Sequence, residues 1–332
     1  MKIEENNIII RLTALWALSE SGLGGAMHAF KIPFTGFFLG GFAILLVCLI
    51  AYHSTHKWKA IMQATILVMF IKASASPQSP PMAYVAVAFQ GLTGAIFFSI
   101  IPFFRMAAVL FGMLALFESA TQNFLLTTLI FGTSIWEAMD LFFQDILKTL
   151  CLSIDVSFSF WLILIYTLVY TIWGMLLGWW GASLPAKLER ESTGIIEKYK
   201  HLETRADIET NPRKKRKHKL WSLLFILLFI CITFILQGSG SRAIYAISRT
   251  ISALLILLFV VSPLIKWLMK KWLVKAKNKK QQAISQLMDI IPELRSYVKP
   301  AMQLAKESHN GLLVYKAFVI NMIVISLYHP QD

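Results

Sequence analysis

LTALWALSESGLGGAMHAFKIPFTGFFLGG, residues 12–41, is the stretch whose reading decides the fold. It sets a carboxylate, Glu20, and an imidazole, His28, in an otherwise apolar run dense in glycine. At Lys31-Ile32-Pro33 the chain turns into a second apolar run that again carries glycines. An ionisable group in a bilayer costs roughly 2.5–3.5 kcal/mol on insertion scales, and such groups face a bundle interior or a cavity. The two runs therefore read as a membrane hairpin that lines a pocket.

Composition extends that reading to the whole chain. Of 332 residues, 57% are hydrophobic and 15% charged, against about 45–50% and about 25% in soluble domains, and the mean hydropathy is +0.62. The expected fold class is all-α, a polytopic transmembrane helix bundle. A span needs about 20 mostly apolar residues. Eight stretches qualify or come close: 8–30, 34–52, 58–75, 82–101, 106–131, 156–182, 220–238 and 243–268. A further apolar run, 312–328, is short for a ninth span and carries Lys316 and Asn321. It reads either as a span or as a segment on the membrane surface.

The net charge of +14 is explained by orientation rather than by nucleic acid, because the Lys and Arg residues flank apolar runs on alternate connections. HSTHKWK at 53–59, Arg105, the segment 186–219 and the run 266–280 fall on one side. The Lys31 turn, SPQSPP at 76–81, the segment with Glu137, Asp140, Asp145 and Asp155, and GSGSR at 238–242 fall on the other. The positive-inside rule then makes the N-terminus cytoplasmic in the plasma (inner) membrane. MKIEENN lacks the basic start of a cleavable signal, so the first span is expected to stay in the mature protein.

Three parts emerge from this pattern: a six-span substrate-binding domain over 1–185, a basic cytoplasmic loop over 186–219, and a C-terminal membrane part over 220–332. RKKRKHK at 213–219 reads as a topology anchor beside anionic lipid, at about 1 kcal/mol per basic residue, or as a docking site for a cytoplasmic partner. In 281–308 the apolar positions keep a helical period, giving one or two cytoplasmic or interfacial helices that Pro292 and Pro300 are expected to break or kink.

Candidate binding residues are the polar groups inside spans. Trp16, Glu20, Gly24 and His28 recur every fourth residue and would share one helix face. Gln90 precedes Gly91 in the fourth span, and Glu118, Gln122 and Asn123 cluster in the fifth. For each carboxylate the alternative is a hydrogen bond or ion pair that merely joins helices. Gly22, Gly24, Gly25, Gly36, Gly40 and Gly91 read as packing residues, since small side chains let helices approach closely in lipid. SPQSPP cannot continue a helix and reads as a stiff loop, part of a lid over the pocket.

Cys48, Cys151 and Cys231 show no paired spacing, and the sequence carries no HExxH, GxSxG or P-loop motif. No cofactor, metal or nucleic acid is expected, and movement of a solute would draw on a gradient or a separate subunit.

The segment ALWALSESGLGGAMHAFKIPFTGFFLGGFAILL (14–46), the Ser-Pro loop and AYVAVAFQGLTGAIFF (83–98) resemble the substrate-binding S components of energy-coupling-factor transporters, over about residues 8–185. The resemblance implies a vitamin or related small molecule in an outward-facing pocket, and as partners a coupling subunit with two ATPases. The C-terminal extension has no counterpart in it. The leading expectation is a transporter subunit binding a small solute through Glu20, His28, Gln90, Glu118, Gln122 and Asn123. The alternatives are an intramembrane enzyme acting on a lipid or isoprenoid substrate, with Glu118 or Glu20 as acid/base, and a non-catalytic assembly factor.

Overall fold

An apolar chain in a bilayer finds no water for its backbone N–H and C=O groups, so each crossing segment closes its hydrogen bonds within itself as a helix. The computed structural model describes residues 5–29, 34–76, 79–131, 133–149, 157–206, 278–311 and 313–329, and among these it is helical almost throughout. In chain order the helices are α1 (Glu5–Leu18), a π turn (Ser19–Leu23), α2 (Gly24–Ala29), α3 (Thr35–His53), α4 (Lys57–Ala75), α5 (Pro81–Ile100), α6 (Phe104–Phe131), α7 (Ser134–Thr149), α8 (Phe158–Ala206), α9 (Asn278–Ser308) and α10 (Leu313–Tyr328). The chain is a helical membrane bundle: α3, α4, α5, α6 and α8 are long and apolar enough to cross a membrane. The run from Glu5 to Ala29, interrupted by the π turn, is the remaining N-terminal segment. The predicted spans 220–238 and 243–268, the Lys31 turn and RKKRKHK lie outside the described residues.

Two compact units divide the chain, Met1–Lys200 with Ala276–Asp332, and His201–Lys275. In the first, α1 packs on α3 and α4, α4 on α5, α5 on α6, and α6 on α3. The short turns after α3 and α5 make their flanking helices antiparallel neighbours. One end of the bundle therefore carries the start of α3 at Phe34, and the other carries Thr55, whose backbone N–H donates to Glu5 Oε1 at 2.9 Å.

Glycine sets the closest approaches. A Cβ at Gly112 or Gly174 would run into the backbone of the other helix, and one at Gly178 into Ala108. Thus α6 and α8 touch main chain to main chain along Ala108-x-x-x-Gly112 and Gly174-x-x-x-Gly178, the small-x-x-x-small arrangement that suits lipid. The glycines singled out from sequence lie at other seams. Gly36 and Gly40 face α6, with Ser119 and Leu116 against them; Gly91 faces Thr65 of α4, and Gly24 faces Leu39. Gly22 meets only Leu18 of its own helix, and Gly25 is buried.

Several expectations are corrected. The loop assigned to 186–219 is helix as far as Ala206, because α8 runs on without interruption for 49 residues, about 74 Å at 1.5 Å per residue. Its hydrophilic half is rich in Glu, Lys and Leu, good helix formers, with a Lys187–Glu191 pair one turn apart. Polarity there reports solvation, not loop structure. Pro292 and Pro300 do not divide α9, which is continuous over 31 residues. Packing supports it on both sides, since α9 lies against α10 and α1.

The C-terminal helices therefore belong to the same unit as the N-terminal bundle rather than forming a separate part. Arg11, buried in α1, donates to Ser326 O at 2.6 Å and to Glu293 Oε1 at 3.1 Å. Asn321 donates to Ala301 O across the α9–α10 hairpin at 3.3 Å. Tyr297 donates to Glu293 at 2.5 Å, and burial first, then this bond, holds its phenol above the usual range. At 16 residues, α10 is shorter than the about 20 that crossing needs.

Candidate functional site

The opening stretch is not one regular α-helix. Within 19–23 the helix widens to a π turn, closed by the Gly24 N–H donating to Ser19 O. Such turns recur at functional sites. The hydroxyls of Ser19 and Ser21 donate to Trp16 O (2.8 Å) and Ala17 O (2.6 Å), which gives those carbonyls a second partner where the ladder is widened. Residues four apart drift by about 40° in a regular α-helix, and the extra residue takes back about 100°, so the turn keeps Trp16, Glu20 and Gly24, all buried, near one face. It also aims Glu20.

Glu20 is buried, and its Oε2 accepts from Lys72 Nζ of α4 at 2.6 Å. Lys72 also donates to Ala83 O at the start of α5 (3.3 Å) and lies 5.8 Å from the centre of the Tyr84 ring. One ammonium thus joins the π turn, α4 and α5 at the Phe34 end. Here the carboxylate is occupied by a protein partner that the sequence reading left out, although Lys72 is the one cation inside 60–75.

The remaining polar candidates stand apart from that pair. Gln90 is buried, with Oε1 unpartnered and its amide nitrogen 3.1 Å from where a Cβ on Gly40 would be. Glu118 has a buried, unpartnered Oε2. Gln122, one turn further along α6, donates to Met82 O at 2.7 Å, so its amide helps fix α6 to the start of α5. The side chains of His28 and Asn123 lie outside the described residues, as do Pro77 and Gln78 of the Ser-Pro loop. Beside those two residues, the Ser76 and Ser79 hydroxyls meet at 3.1 Å.

A pocket of about 610 Å³ opens at the Phe34 end, between the first turns of α3 and the first turns of α8. Of the candidates whose side chains are described, Glu20, Gln90, Glu118 and Gln122, none is among its lining residues. Its walls are Phe34, Phe37 and Phe38 from α3 and its cap, and Phe158, Trp161, Leu162, Ile165, Tyr166, Val169 and Tyr170 from α8. Rings order the walls: Phe37 stacks on Trp173 at 5.1 Å, Tyr166 stacks on Tyr170 at 4.6 Å, and Phe34 on Tyr166 at 6.1 Å. The Tyr166 hydroxyl donates to the Tyr170 hydroxyl at 2.8 Å.

Phe34 holds φ 61°, in the left-handed region. For a residue with a Cβ that conformation costs about 1–2 kcal/mol, and backbone strain of this kind clusters at ligand sites. The pocket also has a plain steric origin. Where α8 carries Gly174 and Gly178 its backbone reaches α6, whereas one and two turns earlier Tyr170 and Tyr166 stand in the way. Large rings at that end keep the helices apart.

Helix α7 is fastened beside the mouth. Asp140 accepts from the Ser159 backbone N–H (2.7 Å) and from the Ser159 and Ser157 hydroxyls (2.9 and 3.0 Å), capping the start of α8. The Ser159 N–H and these hydroxyls hold the Asp140 carboxyl below the usual carboxylate range. Phe143 of α7 stacks at 3.8 Å on Phe158 of the pocket wall.

Sequence reasoning passed over these aromatic residues because rings are abundant throughout the chain. The available signal was the ladder Phe158, Trp161, Leu162, Ile165, Tyr166, Val169, Tyr170 at helical spacing, opposite the cluster FTGFF at 34–38. Among the described residues no three His, Cys, Asp or Glu side chains are grouped as a metal site. No protein-family description matches the chain, and neither a curated protein nor a solved structure matches it.

Proposed function

We propose that this protein is a membrane-embedded subunit that binds a small solute at one end of its helix bundle and works with a separate energising partner. The observation that carries the reading is the aromatic pocket between α3 and α8. Its volume of about 610 Å³ falls within the roughly 300–1,000 Å³ typical of small-molecule sites. A strained Phe34 and an anchored flanking helix, α7, stand at its edge.

The charge pattern of the connections makes this the outward end. A coupling subunit with ATPases is the partner class that the resemblance to S components implies, and the basic segment at 213–219 is its candidate contact. Glu20 acts in this reading as a positioning residue: paired with Lys72, it holds the first helical run against α4 and so fixes the approach to Phe34. Gln90 and Glu118, with unpartnered oxygens in the bundle, remain the polar groups available to a solute that enters more deeply.

Mass spectrometry of small molecules that co-purify with the protein in nanodiscs tests the proposal. A specific compound is expected, retained by the native chain and lost in Phe37→Ala and Tyr166→Ala. Absence of any such compound across several growth media, with solute uptake unchanged in both variants, would refute it.

A further inference from the structure

We infer that the pocket takes its ligand from the lipid rather than from water, and that this ligand is uncharged, with a flat ring in the pocket and a hydrocarbon tail leaving through the mouth. The inference rests on the binding-subunit reading and narrows its substrate class. Three observations carry it.

The first is where the mouth opens. Its rim residues Phe38, Trp161, Ile165 and Val169 are 58%, 50%, 56% and 51% exposed. On α8 these positions continue into Leu168, Ile172, Leu176 and Trp179, also about half exposed and spaced three or four residues apart. Together they form an apolar stripe along a membrane-crossing helix, which is the surface such a helix turns to lipid. The pocket is thus entered sideways, through the acyl-chain region.

The second is what the walls can offer. Among the described residues lining the pocket none is charged, and the hydroxyls of Tyr166 and Tyr170 and the indole N–H of Trp161 are its polar side-chain groups. The two hydroxyls already bond to each other. A charged or polyhydroxylated solute would leave water without enough replacement partners, which disfavours it for each polar group left bare. One carbonyl or hydroxyl on a ring edge is the polarity that a tyrosine pair accommodates.

The third is shape. The Tyr166–Tyr170 and Phe34–Tyr166 pairs are near-parallel, at interplanar angles of 28° and 25°, and a further flat ring extends such a stack by offset stacking.

A photoactivatable 1,4-naphthoquinone bearing a prenyl tail, added to the full-length protein in phosphatidylcholine nanodiscs, tests the inference. Crosslinks are expected in peptides covering 34–38 and 158–170. An excess of the unlabelled prenylated naphthoquinone should remove them, and thiamine or riboflavin should leave them in place. Labelling should fall about tenfold or more in Phe37→Ala. It should fall similarly in Trp161→Leu, a rim substitution in lipid that leaves the fold unstrained. If riboflavin or thiamine binds at these peptides and the prenylated naphthoquinone does not, the lipid-soluble ligand is overturned while the binding subunit stands. Competition by phosphatidylcholine equal to that of the naphthoquinone makes the pocket an acyl-chain seat and overturns the ring-bearing ligand. If no probe labels these peptides and no small molecule co-purifies, both readings fail.

Discussion

Breaking the Glu20–Lys72 pair should destabilise the bundle unequally from its two sides. Both side chains are almost fully buried, 5% and 2% exposed, with 2.6 Å between Oε2 and Nζ. Removing one partner of a buried pair costs about 3–5 kcal/mol, because it strands the other. At about 1.4 kcal/mol per factor of ten, that is roughly a 150-fold to several-thousand-fold loss in the folded population. The partners differ in what they keep. Without Glu20, the Lys72 ammonium still has Ala83 O and the Tyr84 ring. Without Lys72, the Glu20 carboxylate loses the hydrogen-bond donor described for it. Lys72→Met should therefore cost more than Glu20→Leu, near the upper and lower ends of that range. Glu20→Leu with Lys72→Met removes both charges, so it should lie within about 1–2 kcal/mol of the native chain, since apolar replacement of a whole pair is often neutral. Equilibrium unfolding in bicelles, followed by circular dichroism, gives all four corners of the cycle. Single variants costing under about 1 kcal/mol, or costs that simply add in the double variant, would refute the claim that the pair acts as a unit.

Other consequences are open to direct test. Gly178→Leu should lower the unfolding midpoint sharply, because its Cβ would meet the Ala108 main chain and overpacking costs about 1–3 kcal/mol or more where backbone must move; Gly194→Leu, with nothing within 4 Å, should leave the midpoint unlowered or raise it slightly, since a mid-helix glycine costs up to about 1 kcal/mol. Arg11→Met takes a donor from the Ser326 carbonyl and leaves Glu293 with Tyr297 alone, and should cost about 1.5–3 kcal/mol for its charged hydrogen bonds, seen as faster proteolysis between α9 and α10. For Asp140 the folded carboxyl is depressed below the usual range by the Ser159 N–H, so its stabilisation is present above about pH 4 and lost as pH falls through the lowered value. Hydrogen exchange at Ser159 should accelerate on acidification in the native chain and be fast and pH-insensitive, once intrinsic exchange is divided out, in Asp140→Ala.

Hydrophobic length made the crossing segments of the first unit legible, since it arises from the bilayer itself. Features that depend on a partner were not legible. Glu20 stands out in its run, but only the fold shows that Lys72, 52 residues on, is what it faces. The π turn was hidden because a period-four pattern looks the same whether or not one residue is inserted. Residues 186–206 looked like loop because charge was read as irregularity, although Glu- and Lys-rich sequence is also good solvated helix. The Gly174-x-x-x-Gly178 seam was as readable as Gly36-x-x-x-Gly40 and was passed over in favour of the polar spans. The pocket itself is made of residues that resemble the lipid-facing surface in composition, and only their placement across from α3 separates the two.

Two kinds of adhesive divide the bundle, and the pocket lies where one gives way. The first helical run is tied by polar bonds at three levels: Glu5 to Thr55, Arg11 to Glu293 and Ser326, and Glu20 to Lys72. In a bilayer such bonds resist sliding because a freed partner would be left without water. Helix α8 is held otherwise, by close backbone approach at Gly112, Gly174 and Gly178 and by Gly181 against Cys48, contacts that weaken as soon as side chains enlarge. From Tyr170 towards Phe158 they do enlarge, and the polar fastening described at that end is the Asp140 cap from α7. Among the described residues the start of α8 is thus held by ring packing and the Asp140 cap rather than by an ion pair, and it carries seven of the ten pocket residues. Loosening the Asp140 cap should therefore change ligand affinity more than global stability, whereas breaking Glu20–Lys72 should do the reverse.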